Sequence, residues 1–137
     1  YMGKAHSAGD LTMLVENDKV LFSGDIIFEG RVPWVGSADS KFWLATLSKL
    51  ETSGLTALIP GHGGASTNPK ETIALTRKYL AYLRETMGAA VEEFTPFDEV
   101  YSGTDWSAFK DLPAFEDANR RNAYQVYLSM EAELLQE

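Results

Sequence analysis

Apolar and polar positions fall into short runs near the start of the chain and recur at helical spacing further on. Residues 11–16 (LTMLVE) and 19–23 (KVLFS) are β-type runs. They are joined by Asn17-Asp18, two residues able to take positive φ, and predict a tight hairpin. After Ser23-Gly24-Asp25, the stretch IIFEGRVPWVGS mixes apolar residues with Gly and Pro without a period, which predicts a loop of the kind that carries function. Asp39 is the expected N-cap of a helix over 40–52, where Phe42, Trp43, Leu47 and Leu50 recur at helical spacing. Residues 55–59 (LTALI) predict a third strand, stopped by Pro60-Gly61-His62-Gly63-Gly64. Asn68-Pro69-Lys70-Glu71 reads as a helix start, with a capping side chain, Pro in the first turn and Glu at the third helical position. That helix is expected to reach about Met87, burying Ile73, Leu80 and Leu83 with Thr76 and Met87 beside them. Residues 88–114 are turn-rich, and a last helix over about 115–135 carries Tyr124, Tyr127, Leu128, Leu134 and Leu135.

The order is hairpin, helix, strand, helix, irregular stretch, helix, an α+β class with a small sheet. Helices can cover one face of so small a sheet; something else must cover the other. The 137 residues suffice for a hydrophobic core, and 45% apolar with 23% charged residues is an ordinary globular composition. The net charge of −8 argues against a nucleic-acid partner, which needs a basic face. The absence of cysteine removes disulfides, thiolate metal sites and Cys nucleophiles without fixing the compartment, cytoplasmic or periplasmic. No apolar run has the length of a membrane span, so no membrane partner is expected. Any targeting segment is expected upstream of Tyr1.

Candidate chemistry rests on His6, Asp25 and His62, each placed at a strand end or in a glycine-rich turn. A loop histidine can present a neutral imidazole nitrogen to a metal, and a carboxylate can bridge two cations. Oxygen and nitrogen donors without sulfur suit zinc, manganese or iron. Taken singly, His6 reads first as a solvated or hydrogen-bonded loop residue, and Asp25 as a turn carboxylate that accepts backbone N–H groups. His62 stands out because the surrounding glycines are costly in chain entropy and let the backbone pack closely while the imidazole points outward. Asp10, after Gly9, is expected to hold the His6 loop in shape by accepting hydrogen bonds.

Together, "GKAHSAGD", "VLFSGDIIF" and "ALIPGHGG" resemble the third, fourth and fifth motifs of the metallo-β-lactamase fold hydrolases, in order. The intervals of 19 residues from His6 to Asp25 and 37 from there to His62 are similar to that superfamily's. The likeness covers about residues 1–87. The C-terminal "NRRNAYQVYLSMEAEL" is similar to a branch described as quinoprotein-relay or sulfur-oxidation-associated zinc hydrolases.

The resemblance implies a dinuclear-metal hydrolase in which His6 binds the first zinc, Asp25 bridges both and is the catalytic carboxylate, and His62 binds the second. Manganese or iron could stand in for zinc. Two such cations would acidify a bound water, whose hydroxide attacks a carbonyl or phosphoryl centre. Phe28 and Trp34, in the loop over 26–37, are the substrate-wall candidates; both read equally well as plugs in the core.

The superfamily's His-x-His-x-Asp-His segment is absent. The resemblance therefore implies the C-terminal half of an αββα sandwich over residues 1–87, followed by an irregular segment and helix over 88–137. Such a fragment is expected to hold metal partially or not at all and to be inactive by itself. Its uncovered sheet face is expected to drive homo-oligomerisation, as a homodimer. The implied substrate is a small molecule with a hydrolysable ester, thioester or amide. A truncated or degenerate interaction domain is the alternative. A third reading, an unrelated α+β binding module, predicts that the three site residues lie far apart.

Overall fold

The computed structural model describes residues 1–136. Strand β1 (Met13–Val15) pairs antiparallel with β2 (Val20–Phe28), and β2 pairs parallel with β3 (Ala57–His62), giving the sheet order β1-β2-β3. Helix α1 (Ser40–Glu51) joins β2 to β3; α2 (Pro69–Glu92), α3 (Phe97–Gly103) and α4 (Phe115–Leu134) follow. The architecture is the α+β arrangement that the pattern predicts, with a small mixed sheet.

The hairpin turn is wider than predicted. Pairing stops at Val15 and Val20, and Lys19, not Asn17 or Asp18, takes the positive φ of 54°. The larger correction concerns the segment expected to be a loop. β2 continues through Gly24-Asp25-Ile26-Ile27-Phe28, pairing with β3 across two register shifts, one on each side of Gly24. Such bulges bend a strand and re-aim its side chains, and Gly24, at φ 55°, supplies the backbone freedom. β3 likewise runs on to His62, so Asp25 and His62 are strand residues held by the ladder.

Helix α1 begins as predicted, with Asp39 accepting a hydrogen bond from the Phe42 N–H at 2.9 Å. Helix α2 starts at Pro69, but the Asn68 side chain makes no capping bond. Instead the Asn68 N–H and the Thr72 hydroxyl both donate to Ser66 Oγ. The helix runs unbroken to Glu92, so the boundary expected between residues 87 and 88 falls inside it, and one buried cluster joins Ala5 to Tyr127. In α4 the buried positions are Phe115, Ala118, Asn119, Asn122, Ala123, Val126 and Tyr127, spaced as one helical face. Of the residues singled out on this helix in the sequence, Tyr127 is buried, whereas Tyr124, Leu128, Leu134 and Leu135 are exposed.

Beyond the edge of this core, Leu11, Met13, Leu14, Val15 and Phe22 are exposed apolar side chains on the hairpin. Met13 pairs with Phe22, and Phe22 with Ile59, so this row crosses all three strands on one face.

Candidate functional site

The site is assembled where β2 and β3 end side by side. Gly61 makes that closeness possible. A Cβ at this position would collide with Asp25 Oδ1 and stand 2.6 Å from the Gly24 carbonyl carbon and 2.8 Å from the Asp25 nitrogen. With no side chain there, the Asp25 carboxylate lies across the Gly61 backbone and its Oδ1 stands 3.5 Å from His62 Nε2. Both side chains are close to half exposed.

His62 is held from several sides. Its ring stacks on Phe28 with centroids 4.9 Å apart and planes 10° from parallel. Its carbonyl accepts the Glu29 N–H at 2.9 Å, and two residues on the Gly64 N–H donates to Glu29 Oε2 at 3.3 Å. Gly63, at φ 97°, lies so close to the Glu29 backbone that no side chain fits. Phe28 is buried and anchored to α2, since its N–H donates to Thr76 Oγ1 at 3.3 Å and its carbonyl accepts from the same hydroxyl at 3.2 Å.

His6 reaches the same aromatic floor from the N-terminal loop. Its ring centroid lies 5.9 Å from that of Phe28 and 5.3 Å from that of Trp43, edge-on to the latter. Trp43 in turn donates its indole N–H to the Ile26 carbonyl at 2.8 Å. The loop is tied by the buried Asp10, whose carboxylate accepts the Ser7 N–H at 2.9 Å and the Ser7 hydroxyl at 2.6 Å. The Asp10 carbonyl also accepts the Met2 N–H.

The three residues singled out in the sequence therefore share one neighbourhood, but unequally. Asp25 and His62 face each other directly; His6 packs beside Phe28. Two ligands of one tetrahedral zinc lie about 3.4 Å apart, from bond lengths near 2.0–2.1 Å, so the separation of Asp25 Oδ1 and His62 Nε2 suits a pair of donors to one cation. Among the described residues, no group of three His, Cys, Asp or Glu is gathered closely enough to hold an ion. The donor pair fits a metal, and the described residues do not complete a cage.

Of the two wall candidates, Phe28 is buried beneath the imidazoles, whereas Trp34 is 39% exposed with the Arg121 guanidinium 4.9 Å from its ring centroid. A groove of about 600 Å³ lies between α3 and α4, lined by Phe97, Asp117, Arg120 and Tyr124 among others; neither His6, Asp25 nor His62 lines it. Asp25 and His62 sit on an open rim. Glu29 and Thr76 did not stand out in the sequence as parts of the site's support, because each makes its contact across 33 or more residues of chain.

Residues 1–62 match the family model described as the Metallo-beta-lactamase superfamily. No curated protein matches the chain. The fold is similar to that of a solved metallo-beta-lactamase family protein from Thermus thermophilus, with a TM-score of 0.66 and 19% identity, over 98% of this chain and 42% of that one. The fold is thus one found in metallo-β-lactamase family proteins, and the chain spans less than half the length of that relative. Residues 1–62 carry His6, Asp25 and His62. The C-terminal likeness to a particular branch finds no counterpart in these matches.

Proposed function

We propose that the chain contributes one half of a dinuclear-metal hydrolase site of the metallo-β-lactamase type, and that it is inactive without the other half. His6 would hold the first cation and His62 the second, with Asp25 shared between them. Zinc is the metal that this donor set suits, with manganese and iron as alternatives. When bound, such cations acidify water and stabilise a developing oxyanion. The chain's own residues place the donors. The bulged β2 presents Asp25, Gly61 clears the space beside it, and Phe28 seats both imidazoles.

The observation that carries this reading is the approach of Asp25 Oδ1 to His62 Nε2 at 3.5 Å, the spacing of two ligands on one cation. The substrate class is a small molecule with an ester, thioester or amide bond. The test is reconstitution. Supplied with an upstream segment carrying a His-x-His-x-Asp-His motif and with zinc, the chain should gain hydrolysis of an activated thioester. That activity should vanish in Asp25→Asn. An intact, metal-loaded protein that hydrolyses nothing in a panel of esters, thioesters and amides would leave the second reading, a non-catalytic interaction domain, which the exposed Met13–Phe22 pair favours.

A further inference from the structure

Helices α2 and α4 run antiparallel, as the contacts of Arg84 with Glu133, Gly88 with Met130 and Thr95 with Tyr127 show. Gly88 lies so close to α4 that an added Cβ would stand 2.9 Å from Met130 Cε. Beside this contact runs an open groove. Its larger part, about 350 Å³, is lined by Val91, Phe94, Tyr127, Glu131, Leu134 and Leu135. A smaller part continues it past Gly88 and Met130 and shares Val91 and Leu134. His6, Asp25 and His62 line neither part.

Phe94 is the first residue past the α2 C-cap and takes φ 56°, the left-handed position that glycine usually fills. The turn is closed by the Phe94 N–H, which donates to the Val91 carbonyl at 3.2 Å, and by the Thr95 N–H, which donates to the Ala90 carbonyl at 2.8 Å. Both bonds use backbone alone, so the turn does not call for a phenyl ring. A side chain there strains the backbone. The ring is also 84% exposed, so burial within the chain does little to offset that strain. Leu135, which lines the same groove, is 87% exposed, and Leu134 is 41% exposed. Strain and exposure at one aromatic residue share an explanation if the ring makes its contact outside the chain.

Charge selects the occupant. Helix C-termini favour basic residues in their last turn, yet the last turns of α2 and α4 have none. Glu85, Glu92, Glu93, Asp98, Glu99 and Asp105 are the only charged residues from 85 to 109. Among the described residues, Glu92, Glu93 and Glu131 have no cationic partner, whereas Glu133 is matched by Arg84. A second copy would set this negative groove against itself, and an anionic lipid surface would be repelled in the same way. The lining comes from α2, α4 and the residues just after them, with no strand edge that an extended peptide could join. A groove between two helices suits a third helix. We propose that this groove docks an amphipathic helix of a partner protein, whose apolar face meets Phe94 and Leu135 and whose flanking Lys or Arg residues meet Glu92, Glu93 and Glu131. This docking does not depend on the hydrolase reading.

The test uses the full chain and, as probe, a synthetic helix of about 15 residues with leucines on one face and lysines on the other, followed by fluorescence anisotropy. The unmodified chain should bind it saturably, and more weakly as salt is raised. Phe94→Gly should weaken binding at least about tenfold, as loss of an aromatic anchor does. Its thermal unfolding midpoint should hold or rise, because glycine relieves the left-handed strain. Leu135→Ser should weaken binding in the same direction, and Phe22→Ser, on the hairpin, should leave it unchanged. The proposal fails if the lysine peptide does not bind, if a glutamate counterpart binds as well, or if Phe94→Gly leaves binding intact. It fails too if Phe22→Ser removes binding, which would place the peptide on the hairpin. A lower unfolding midpoint in Phe94→Gly would make the ring part of the chain's own stability and overturn the proposal. So would a dimer that Phe94→Gly dissociates in sedimentation, because the occupant would then be a second copy.

Discussion

Gly61 lies directly against the carboxylate of Asp25, with no room between them for a side chain. The atoms in the way are backbone as well as carboxylate, namely the Gly24 carbonyl carbon and the Asp25 nitrogen. They belong to a paired strand and cannot swing aside like the end of a flexible chain. Gly61→Ala should therefore separate β2 from β3 locally and destabilise the fold by about 1–3 kcal/mol, the usual cost of overpacking. Urea unfolding measures it. A Gly64→Ala control, whose added Cβ would meet nothing closer than 3.9 Å, should cost far less. Equal losses in the two variants would mean that the close approach is not what holds the site together.

A second prediction concerns metal. With only the Asp25–His62 pair facing each other and His6 set apart, the chain alone should bind zinc weakly and below two equivalents. Equilibrium dialysis with metal analysis reads the stoichiometry. His62→Ala and Asp25→Asn should each abolish the residual binding, while His6→Ala should reduce it less. Two tightly held ions per chain would contradict the half-site reading.

How much of this could be read from the sequence differs by residue. His62 was legible because a turn with three glycines around one histidine has few structural excuses, and Gly61 and Gly63 do meet backbone that excludes a Cβ. The strand through Asp25 was not legible. Its ladder partners lie more than 30 residues away, and a bulged parallel strand containing Gly24 has no period-2 pattern to recognise. The buried face of α4 was not legible for a related reason. Its core positions include Asn119 and Asn122, satisfied by Tyr79, the Tyr101 hydroxyl and the Pro33–Val35 backbone, none of them local, while leucines at 128, 134 and 135 stay in solvent. Hydrophobic count alone picks the wrong side of that helix.

The exposed Met13–Phe22 pair, continued by the partly buried Ile59, yields a third prediction. Phe22 is 40% and Met13 57% exposed, on a hairpin with further apolar neighbours at Leu11 and Val15. Apolar side chains contiguous across a sheet favour face-to-face packing with a second copy. Sedimentation of the chain should show a dimer, and Phe22→Ser with Met13→Ser should return it to a monomer without loss of helix content. A monomer at all concentrations in the unmodified chain would rule this packing out.

The last prediction is a pH dependence carried by Arg84 and Glu133. The guanidinium holds both carboxylate oxygens, at 2.9 and 2.7 Å, and also donates to Ser40 Oγ at 3.0 Å, so the contact ties α2 to α4 and to the start of α1. The hydrogen bonds from Arg84 lower the Glu133 pKa below its ordinary 4.5. A carboxyl whose folded pKa is depressed stabilises the fold above its unfolded value, and that stabilisation is lost as pH falls through the folded one. The loss should therefore appear below pH 4.5. Because Glu133 is about one-third exposed, the contribution should be modest, about 1 kcal/mol after screening. Thermal unfolding of the unmodified chain and of Glu133→Gln should thus differ at neutral pH and converge on acidification below that point. Curves that stay parallel down to pH 3 would show that the Arg84 contact does not titrate with folding and that the three helices are held by packing alone.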